Sequence, residues 1–168
     1  YPPDRVAHAV ETLNANPEAL CAGSSAVLTY FQDTKRVVRF GPYGPQHTTA
    51  ATMAFRRALL SQTRCDPSAA LAEEKTFLRD YAVPLVQLDP RKTILVSAHE
   101  HNTFDKRRLL EPLWGAEQFA TVETDRIEDL IQDEVSREFY TEGVHEQLRD
   151  YPAGKPESKP DVLKQFAQ

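Results

Sequence analysis

Two adjacent carboxylates, Glu73 and Glu74, are one candidate for a catalytic site in this sequence. Asp66 and Pro67 are typical of a helix start and good helix formers follow, so both glutamates are predicted to lie on a helix or in its first turn. Neighbouring helix residues point about 100° apart, so only one of the two can face a given cleft. A carboxylate in a partly dry pocket has a raised pKa and can take a proton from a hydroxyl. The pair is therefore a candidate general base, with a solvated helix face as the alternative.

A second candidate is the His-Glu-His-Asn cluster at the end of an apolar run. His99 and His101 are one residue apart, so in a strand they project from the same face, as two ligands of one metal ion would. With Glu100 and Asn102 they could hold a divalent ion or a phosphate. The spacing is not the His-x-x-x-His motif of helical zinc sites, so surface or hydrogen-bonded histidines are the alternative.

A third candidate, His47, lies in the loop "GPYGPQHTTAAT" beside Thr48 and Thr49. Loops on a rigid scaffold often carry binding groups, so His47 could reach a ligand, although a single loop histidine is more often incidental. Tyr43 in the same loop is attributed to packing. The phosphate-loop, dinucleotide-binding and nucleophile-elbow patterns do not occur, so kinase, dehydrogenase and serine hydrolase activities have no support from motifs.

Alternating helices and strands are predicted to position these residues. The sequence opens with a helix of about three turns, which Asp4 can cap and the cluster from Asn14 to Pro17 ends. Its apolar stripe comprises Val6, Ala9, Val10 and Leu13. Short strands are predicted at 20–22, 26–32 and 36–40, the last two as a hairpin, then a strand and short helix in "MAFRRALLSQ", and strands in "VPLVQL" and "TILVSA". This order indicates an α/β or α+β layered domain. The α/β class, with a mixed sheet flanked by helices, is the one expected here.

Beyond Thr103 the sequence becomes more helical and more charged. An amphipathic stripe is predicted to pack on the sheet, and it comprises Ile127, Leu130, Ile131, Val135 and Phe139. Residues 151–168 are rich in proline and lysine and are predicted to form a flexible tail.

Composition excludes several classes of protein. The length of 168 residues suits one compact domain, and the net charge of −5 gives no electrostatic footprint for nucleic acid. No apolar run is long enough to span a membrane. Cys21 and Cys65 lack the spacing of a metal site or a disulfide framework and are predicted to be buried free thiols. A cytoplasmic location is expected. The sequence begins at Tyr1 and not at a methionine, which suggests a fragment or a processed product.

Several blocks in one order carry a resemblance to a known family: "YPPDRVAHAVETLNANPEALCAGSS", "FGPYGPQHTTAATMAFRRALL", "AEEKTFL" and "VPLVQLDPRKTILVSAHEHNTFDKRRLLE". Together they resemble nucleotide-sugar transferases of the GT-A fold, and most closely the family 2-like glycosyltransferases of large DNA viruses and some algae. The resemblance covers Tyr1 to Glu111. It implies an acceptor-side part of a GT-A-like domain at 1–111, with a helical extension packed on it at 112–150 and the tail at 151–168.

The resemblance also implies roles for the candidate residues. Glu74 matches the general base of inverting members, and Glu73 is its neighbour at the acceptor sugar. His47, Thr48 and Thr49 fall beside the transferred group. His101, ahead of His99, matches a position that completes the shell of a divalent ion, Mn²⁺ or Mg²⁺, or touches the diphosphate. Glu74 and these two histidines are expected to converge on one cleft.

The predicted function is transfer of a sugar from a nucleotide-diphosphate donor to a carbohydrate or other hydroxyl acceptor, with inversion. In related sequences an acidic metal-binding motif precedes the segment that matches "YPPDRV", so this chain is predicted to lack the donor-binding half and to be inactive or weak alone. One alternative is a non-catalytic carbohydrate-binding or assembly module. Another is a metal-dependent hydrolase centred on His99 and His101.

Overall fold

The structure is a computed structural model that describes residues 1–67, 72–99, 102, 106–110, 119–123 and 125–150. The chain folds into two compact units. Unit 1 comprises Tyr1–Leu28 and Gly41–Leu95, and unit 2 comprises Thr29–Phe40 and the described residues after Leu95. The predicted α/β class is confirmed, but the strands form two sheets where one was expected. The predicted boundary after Glu111 and the predicted tail lie outside the described residues.

Helix α1, Arg5–Ala15, forms where the sequence predicts it. Ala9 and Leu13, four residues apart, are buried on one face. Val6 and Val10 are exposed, so the predicted stripe is only half correct, because these two lie on the adjoining solvent side. Asp4 occupies the N-cap position without a side-chain cap bond. Its carboxylate instead lies 3.6 Å from the Lys92 ammonium.

Unit 1 is built on strand β1, Cys21–Gly23, which pairs antiparallel with β4, Ala54–Phe55, and parallel with β5, Leu85–Gln87. Successive residues of a strand point to opposite faces, so Cys21 and Ala22 enter two different apolar clusters. One cluster joins α1 to the sheet and comprises Ala9, Leu13, Ala19, Ala22 and Leu88. The other supports helix α2, Glu73–Phe77, and comprises Cys21, Leu59, Phe77, Leu78 and Val83.

Arg56 ties the end of α1 to this sheet. Its guanidinium donates to the carbonyl oxygens of Leu13 at 2.5 Å and Ala19 at 3.0 Å, and its backbone N–H donates to Leu20 at 2.9 Å. The Leu13 carbonyl belongs to the last turn of α1, where a cation is favourable.

The chain just before β4 packs on β1 through hydroxyl groups. Thr48 and Thr52 are buried, with their Oγ1 atoms 2.9 Å apart, and Thr52 Oγ1 accepts from the backbone N–H of Ser24 at 2.8 Å. A Cβ on Gly23 would lie 2.0 Å from Thr48 Oγ1, so only glycine lets the loop approach this closely. The loop that carries His47 is therefore seated directly on the central strand of the sheet.

Unit 2 holds most of a second sheet in the order β6-β2-β3-β7. Its strands are β2, Val27–Phe31; β3, Arg36–Phe40; β6, Leu95–Ala98; and β7, Ala120–Val122. A short turn joins the neighbouring strands β2 and β3, so the predicted hairpin is confirmed. The core of this unit comprises Phe31, Val38, Phe40 and Ala98.

The predicted amphipathic helix at 127–139 is interrupted. Helix α3 spans Ile127–Leu130 and α4 spans Glu134–Glu138, followed by a π turn, Phe139–Gly143, and α5, Val144–Leu148. Asp133 starts α4 by accepting from the backbone N–H of Ser136 at 2.8 Å. Because the helix restarts there, Val135 and Phe139 are 76% and 42% exposed and the predicted stripe does not continue.

Both cysteines are free thiols, but only Cys21 is buried. Burial raises the pKa of Cys21 to about 12. Cys65 is exposed, so the prediction of two buried thiols is wrong for it. Within the part of the chain that the structure describes, no helix is long and apolar enough to cross a membrane.

Candidate functional site

Glu74 is a buried carboxylate in the first turn of α2. Its neighbour Glu73 is exposed whereas Glu74 is only 8% exposed, so no more than one of the pair faces inward, as helix geometry predicts. Burial raises the pKa of Glu74, and the charge of Glu73 raises it further, while hydrogen bonds from its own backbone and from Tyr81 act in the opposite direction. This combination moves a carboxylate toward the range in which a general base is effective.

The backbone on both sides of α2 adopts left-handed conformations without glycine. Ala72 has φ 53° just before the helix, and Arg79, Asp80 and Tyr81 have φ 55°, 56° and 61° just after it. Such conformations cost on the order of 1–3 kcal/mol each and concentrate at functional sites. The turn is held by bonds from Asp80 N–H to the Lys75 carbonyl at 2.9 Å and from Val83 N–H to the Leu78 carbonyl at 3.1 Å.

This turn brings Tyr81 to Glu74. The Tyr81 hydroxyl lies 3.5 Å from Glu74 Oε1, at the outer limit of a hydrogen bond. Burial raises the pKa of Tyr81, and the Glu74 charge and hydrogen bond raise it further. Tyr81 therefore keeps its proton and presents a donor to the carboxylate.

His47 lies between two tyrosine rings. Its ring centroid is 5.1 Å from that of Tyr43 and 5.1 Å from that of Tyr81. Nδ1 of His47 is shielded from solvent and has no hydrogen-bond partner in the structure. Burial lowers the pKa of His47, so the imidazole is neutral at neutral pH. Tyr81 thus contacts Glu74 through its hydroxyl and His47 through its ring, and these residues form one cluster within unit 1.

Gln87 of β5 holds the backbone of the His47 loop. Its Nε2 donates to the carbonyl oxygens of Pro45 at 2.9 Å and His47 at 2.8 Å, while its Oε1 accepts from Ser25 N–H at 2.9 Å. Both ends of the amide are engaged, which determines its orientation. His47 is therefore presented from a loop that the sheet supports directly.

Thr48 and Thr49 follow His47 but do not join its ring cluster. The Thr48 hydroxyl is fully buried in the network with Thr52. Thr49 is half-buried, and its hydroxyl lies 3.4 Å from Thr52 Oγ1. Their contacts stabilise the loop, and a ligand contact to Thr48 Oγ1 would require the loop to open.

His99 belongs to unit 2, and His101 lies outside the described residues. Asn102 Oδ1 accepts from the His99 backbone N–H at 3.0 Å, so its Nδ2, 3.1 Å from His99 Nε2, is the donor of that second bond. The Nε2 lone pair of His99 is thus engaged by Asn102. Among the described residues no group of three or more His, Cys, Asp or Glu is placed to hold a metal ion. Convergence of Glu74 with both histidines stays a prediction.

Three residues that build this site were not predicted from the sequence. Tyr43 was attributed to packing but is 39% exposed and contacts His47. Tyr81 carried no signal, because its place depends on a left-handed turn that contains no glycine. Gln87 did have a sequence signal, since it is the single polar residue within the apolar run "VPLVQL".

The chain matches no protein-family model, no curated protein and no solved structure.

Proposed function

We propose that this chain carries the acceptor side of a glycosyltransferase of GT-A-like fold, with Glu74 as the general base. The observation that carries the proposal is a single buried carboxylate whose pKa is raised, held beside a tyrosine and a neutral histidine. The sequence resemblance supplies the reaction, since it aligns the same glutamate with the base of inverting transferases. The site geometry supplies a proton acceptor suited to a hydroxyl group.

In the proposed step, the acceptor hydroxyl oxygen attacks the anomeric carbon of the donor sugar. The bond from that carbon to the diphosphate oxygen breaks, and the nucleoside diphosphate leaves with the electron pair. The hydroxyl proton passes to the Glu74 carboxylate. Attack opposite the leaving group inverts the anomeric centre.

The remaining candidates have supporting roles in this proposal. Glu73, exposed beside the base, would bind the acceptor, and His47 would line the site on a loop braced by Thr48 and Thr49. A divalent ion and the participation of His99 and His101 rest on the resemblance alone. The proposed step therefore does not use them.

The test is sugar transfer from a panel of nucleotide sugars, measured for this chain and for the longest open reading frame that contains it. Substitution of Glu74 by Gln keeps the size of the side chain and removes the base. General-base catalysis contributes roughly 10²–10⁴-fold, so Glu74→Gln is expected to reduce kcat by that factor. Glu73→Gln is the matched comparison: because Glu73 is proposed to bind the acceptor, this change should raise KM for the acceptor and leave kcat largely unchanged. Transfer that is unchanged in Glu74→Gln would overturn the proposal.

A carbohydrate-binding module is the second candidate function. The observation that favours it is the ring cluster of Tyr43, His47 and Tyr81, which can hold a ligand without any chemistry. Glycan binding that survives Glu74→Gln, together with no transfer by any form of the protein, would select this function.

A further inference from the structure

We propose that Tyr43, His47 and Tyr81 form a subsite for an uncharged sugar ring, with a His47 ring nitrogen donating a hydrogen bond to a sugar hydroxyl and a tyrosine face covering the sugar's C–H face. This inference rests on the proposed function, because it identifies the class of acceptor whose hydroxyl Glu74 deprotonates. We refer to these three residues as the ring subsite.

The first support is the arrangement and accessibility of the three rings. The centroid distances of 5.1 Å lie in the range of direct aromatic contact, with planes tilted by 59° at Tyr43 and 36° at Tyr81. Tyr43 is 39% exposed, and His47 and Tyr81 are half-buried, so none of the three residues is fully enclosed. Rings that pack on one another in this way form a wall, and the C–H bonds of a sugar ring pack well on the negative face of an aromatic ring.

The second support is the tautomer that the burial of His47 imposes. A proton on the buried, unpartnered Nδ1 would leave an N–H without an acceptor, which is rarer in proteins than an acceptor without a donor. The neutral imidazole therefore carries its proton on Nε2. Because Nδ1 is buried and His47 as a whole is only half-buried, we take Nε2 as the nitrogen that meets a ligand. The ligand must then offer an oxygen acceptor, which a sugar hydroxyl does.

The third support is the absence of positive charge on the ring subsite. Burial alone accounts for the lowered pKa of His47, and no charged group among the described residues contributes to it. Phosphate and carboxylate ligands are bound by arginine, lysine or protonated histidine, since charge-assisted bonds offset their desolvation. An uncharged hydroxylated ring needs no such partner.

The fourth support is that the subsite and the base share one residue. The Tyr81 ring contacts His47, and its hydroxyl reaches Glu74. A sugar ring on Tyr81 therefore lies along the same side chain that touches the carboxylate. This continuity makes the ligand of the ring subsite the acceptor of the proposed reaction.

The test is binding of uncharged methyl glycosides of glucose, galactose, mannose and N-acetylglucosamine to the full 168-residue chain. Dissociation constants come from saturation-transfer NMR without any donor, and glucose 1-phosphate serves as the charged probe. At least one glycoside is expected to bind more tightly than the phosphate. His47→Phe keeps a ring but loses the donor, so it should weaken binding roughly five- to tenfold.

Three further samples keep the result interpretable. His47→Gln restores a side-chain N–H and should recover part of the binding, and Tyr81→Leu should weaken it as His47→Phe does. Phe55→Leu is the control, because Phe55 is 40% exposed in the same unit but packs on Phe77 outside the ring subsite. A ¹H–¹⁵N spectrum of the wild-type chain should show His47 as the Nε2–H tautomer, which requires no variant.

The outcomes separate this inference from the proposed function. The ring subsite would be overturned by any of four results. These are tighter binding of glucose 1-phosphate than of every glycoside, glycoside binding that His47→Phe leaves unchanged, no binding of any glycoside, and an Nδ1–H tautomer of His47. Glycoside binding that depends on His47, with transfer insensitive to Glu74→Gln, would support the ring subsite and reject the base. Loss of transfer in Glu74→Gln with unaltered glycoside binding supports both.

Discussion

Glu74 keeps a carboxylate where burial opposes its charge, and the consequence for stability can be measured. Its folded pKa is raised above the ordinary value of 4.5, so between these two values the folded protein binds a proton that the unfolded chain has released. Stability therefore falls as pH rises through this window. Glu74→Gln removes the ionisation. We expect the variant to melt at a higher temperature than the wild type at pH 7 and the difference to vanish below pH 4.5.

Thermal unfolding followed by circular dichroism across this pH range measures the effect. Glu73→Gln is the control, because Glu73 is exposed and acts on Glu74 only through a screened charge, so its effect should be smaller. A Glu74→Gln protein that is less stable than the wild type at neutral pH would contradict the expectation. A stabilised but inactive variant would be the usual sign of a residue retained for function.

Tyr81 should set the pH range in which Glu74 works. Its hydroxyl hydrogen bond lowers the pKa of Glu74, so Tyr81→Phe should raise that pKa while keeping the ring. Because the base must be ionised to accept a proton, the acidic limb of the pH–rate profile should move to higher pH in Tyr81→Phe. Measurement of kcat against pH for both proteins tests this. An unmoved limb with a uniformly lower rate would give Tyr81 a packing role instead.

Residue types and helix phase were enough to single out the Glu73–Glu74 pair and to predict that at most one member faces inward. They could not say which one, because that depends on how α2 meets the cluster around Phe77 and Leu78. His47 was identifiable from its loop. Its contact with Tyr81 was not, since the turn that creates this contact is left-handed at residues whose types do not favour it.

At the scale of elements, the contact between β1 and the His47 loop depends on Gly23. A Cβ there would meet Thr48 Oγ1 at 2.0 Å and Thr48 Cβ at 2.8 Å, and Thr48 is enclosed in its hydroxyl network. We expect Gly23→Ala to lower the free energy of unfolding by about 1–3 kcal/mol, because the loop must shift. Gly44→Ala is the matched control in the same loop, since a Cβ there meets nothing within 4 Å.

Urea denaturation of both variants measures the difference. Gly44→Ala should be neutral or slightly stabilising, while Gly23→Ala should also weaken ligand binding at His47, because the displaced loop carries that ring. Equal stability of the two variants would show that Thr48 can move at no cost. The loop would then be more plastic than its hydrogen bonds indicate.

Elements that depend on neighbouring residues in the sequence were predictable. Elements that depend on which of several possible caps or strand pairings forms were not. Strand β3 has the predicted bounds, Arg36–Phe40, because a turn precedes it and a proline-rich loop follows it. The stripe from Ile127 to Phe139 failed, because the Asp133 cap restarts the helix within it. The strands form two sheets and not one, because β1 pairs with β4 and β5 of the same unit. The hydrophobic pattern of a strand does not specify which strand it pairs with.

For the whole molecule, binding of the charged nucleotide-sugar donor and binding of an uncharged glycoside should respond differently to divalent ions. The chain carries a net charge of −5, and the donor that the resemblance predicts contains a diphosphate, so the two repel unless a cation lies between them. The resemblance implies a divalent ion on the donor diphosphate, so transfer is expected to require Mn²⁺ or Mg²⁺ and to stop in EDTA. Glycoside binding at the ring subsite involves no charge that needs an ion, and it should be unaltered in EDTA.

Both quantities should be measured on the same protein sample, with and without EDTA, and with the divalent ion restored at the end. Transfer that persists in EDTA would reject the predicted metal dependence, and glycoside binding that disappears in EDTA would show that the ring subsite depends on an ion. Chelator-resistant glycoside binding without transfer under any condition would identify a carbohydrate-binding module. Chelator-sensitive transfer with chelator-resistant acceptor binding is the result that a transferase with an uncharged acceptor requires, because the ion then acts on the donor alone.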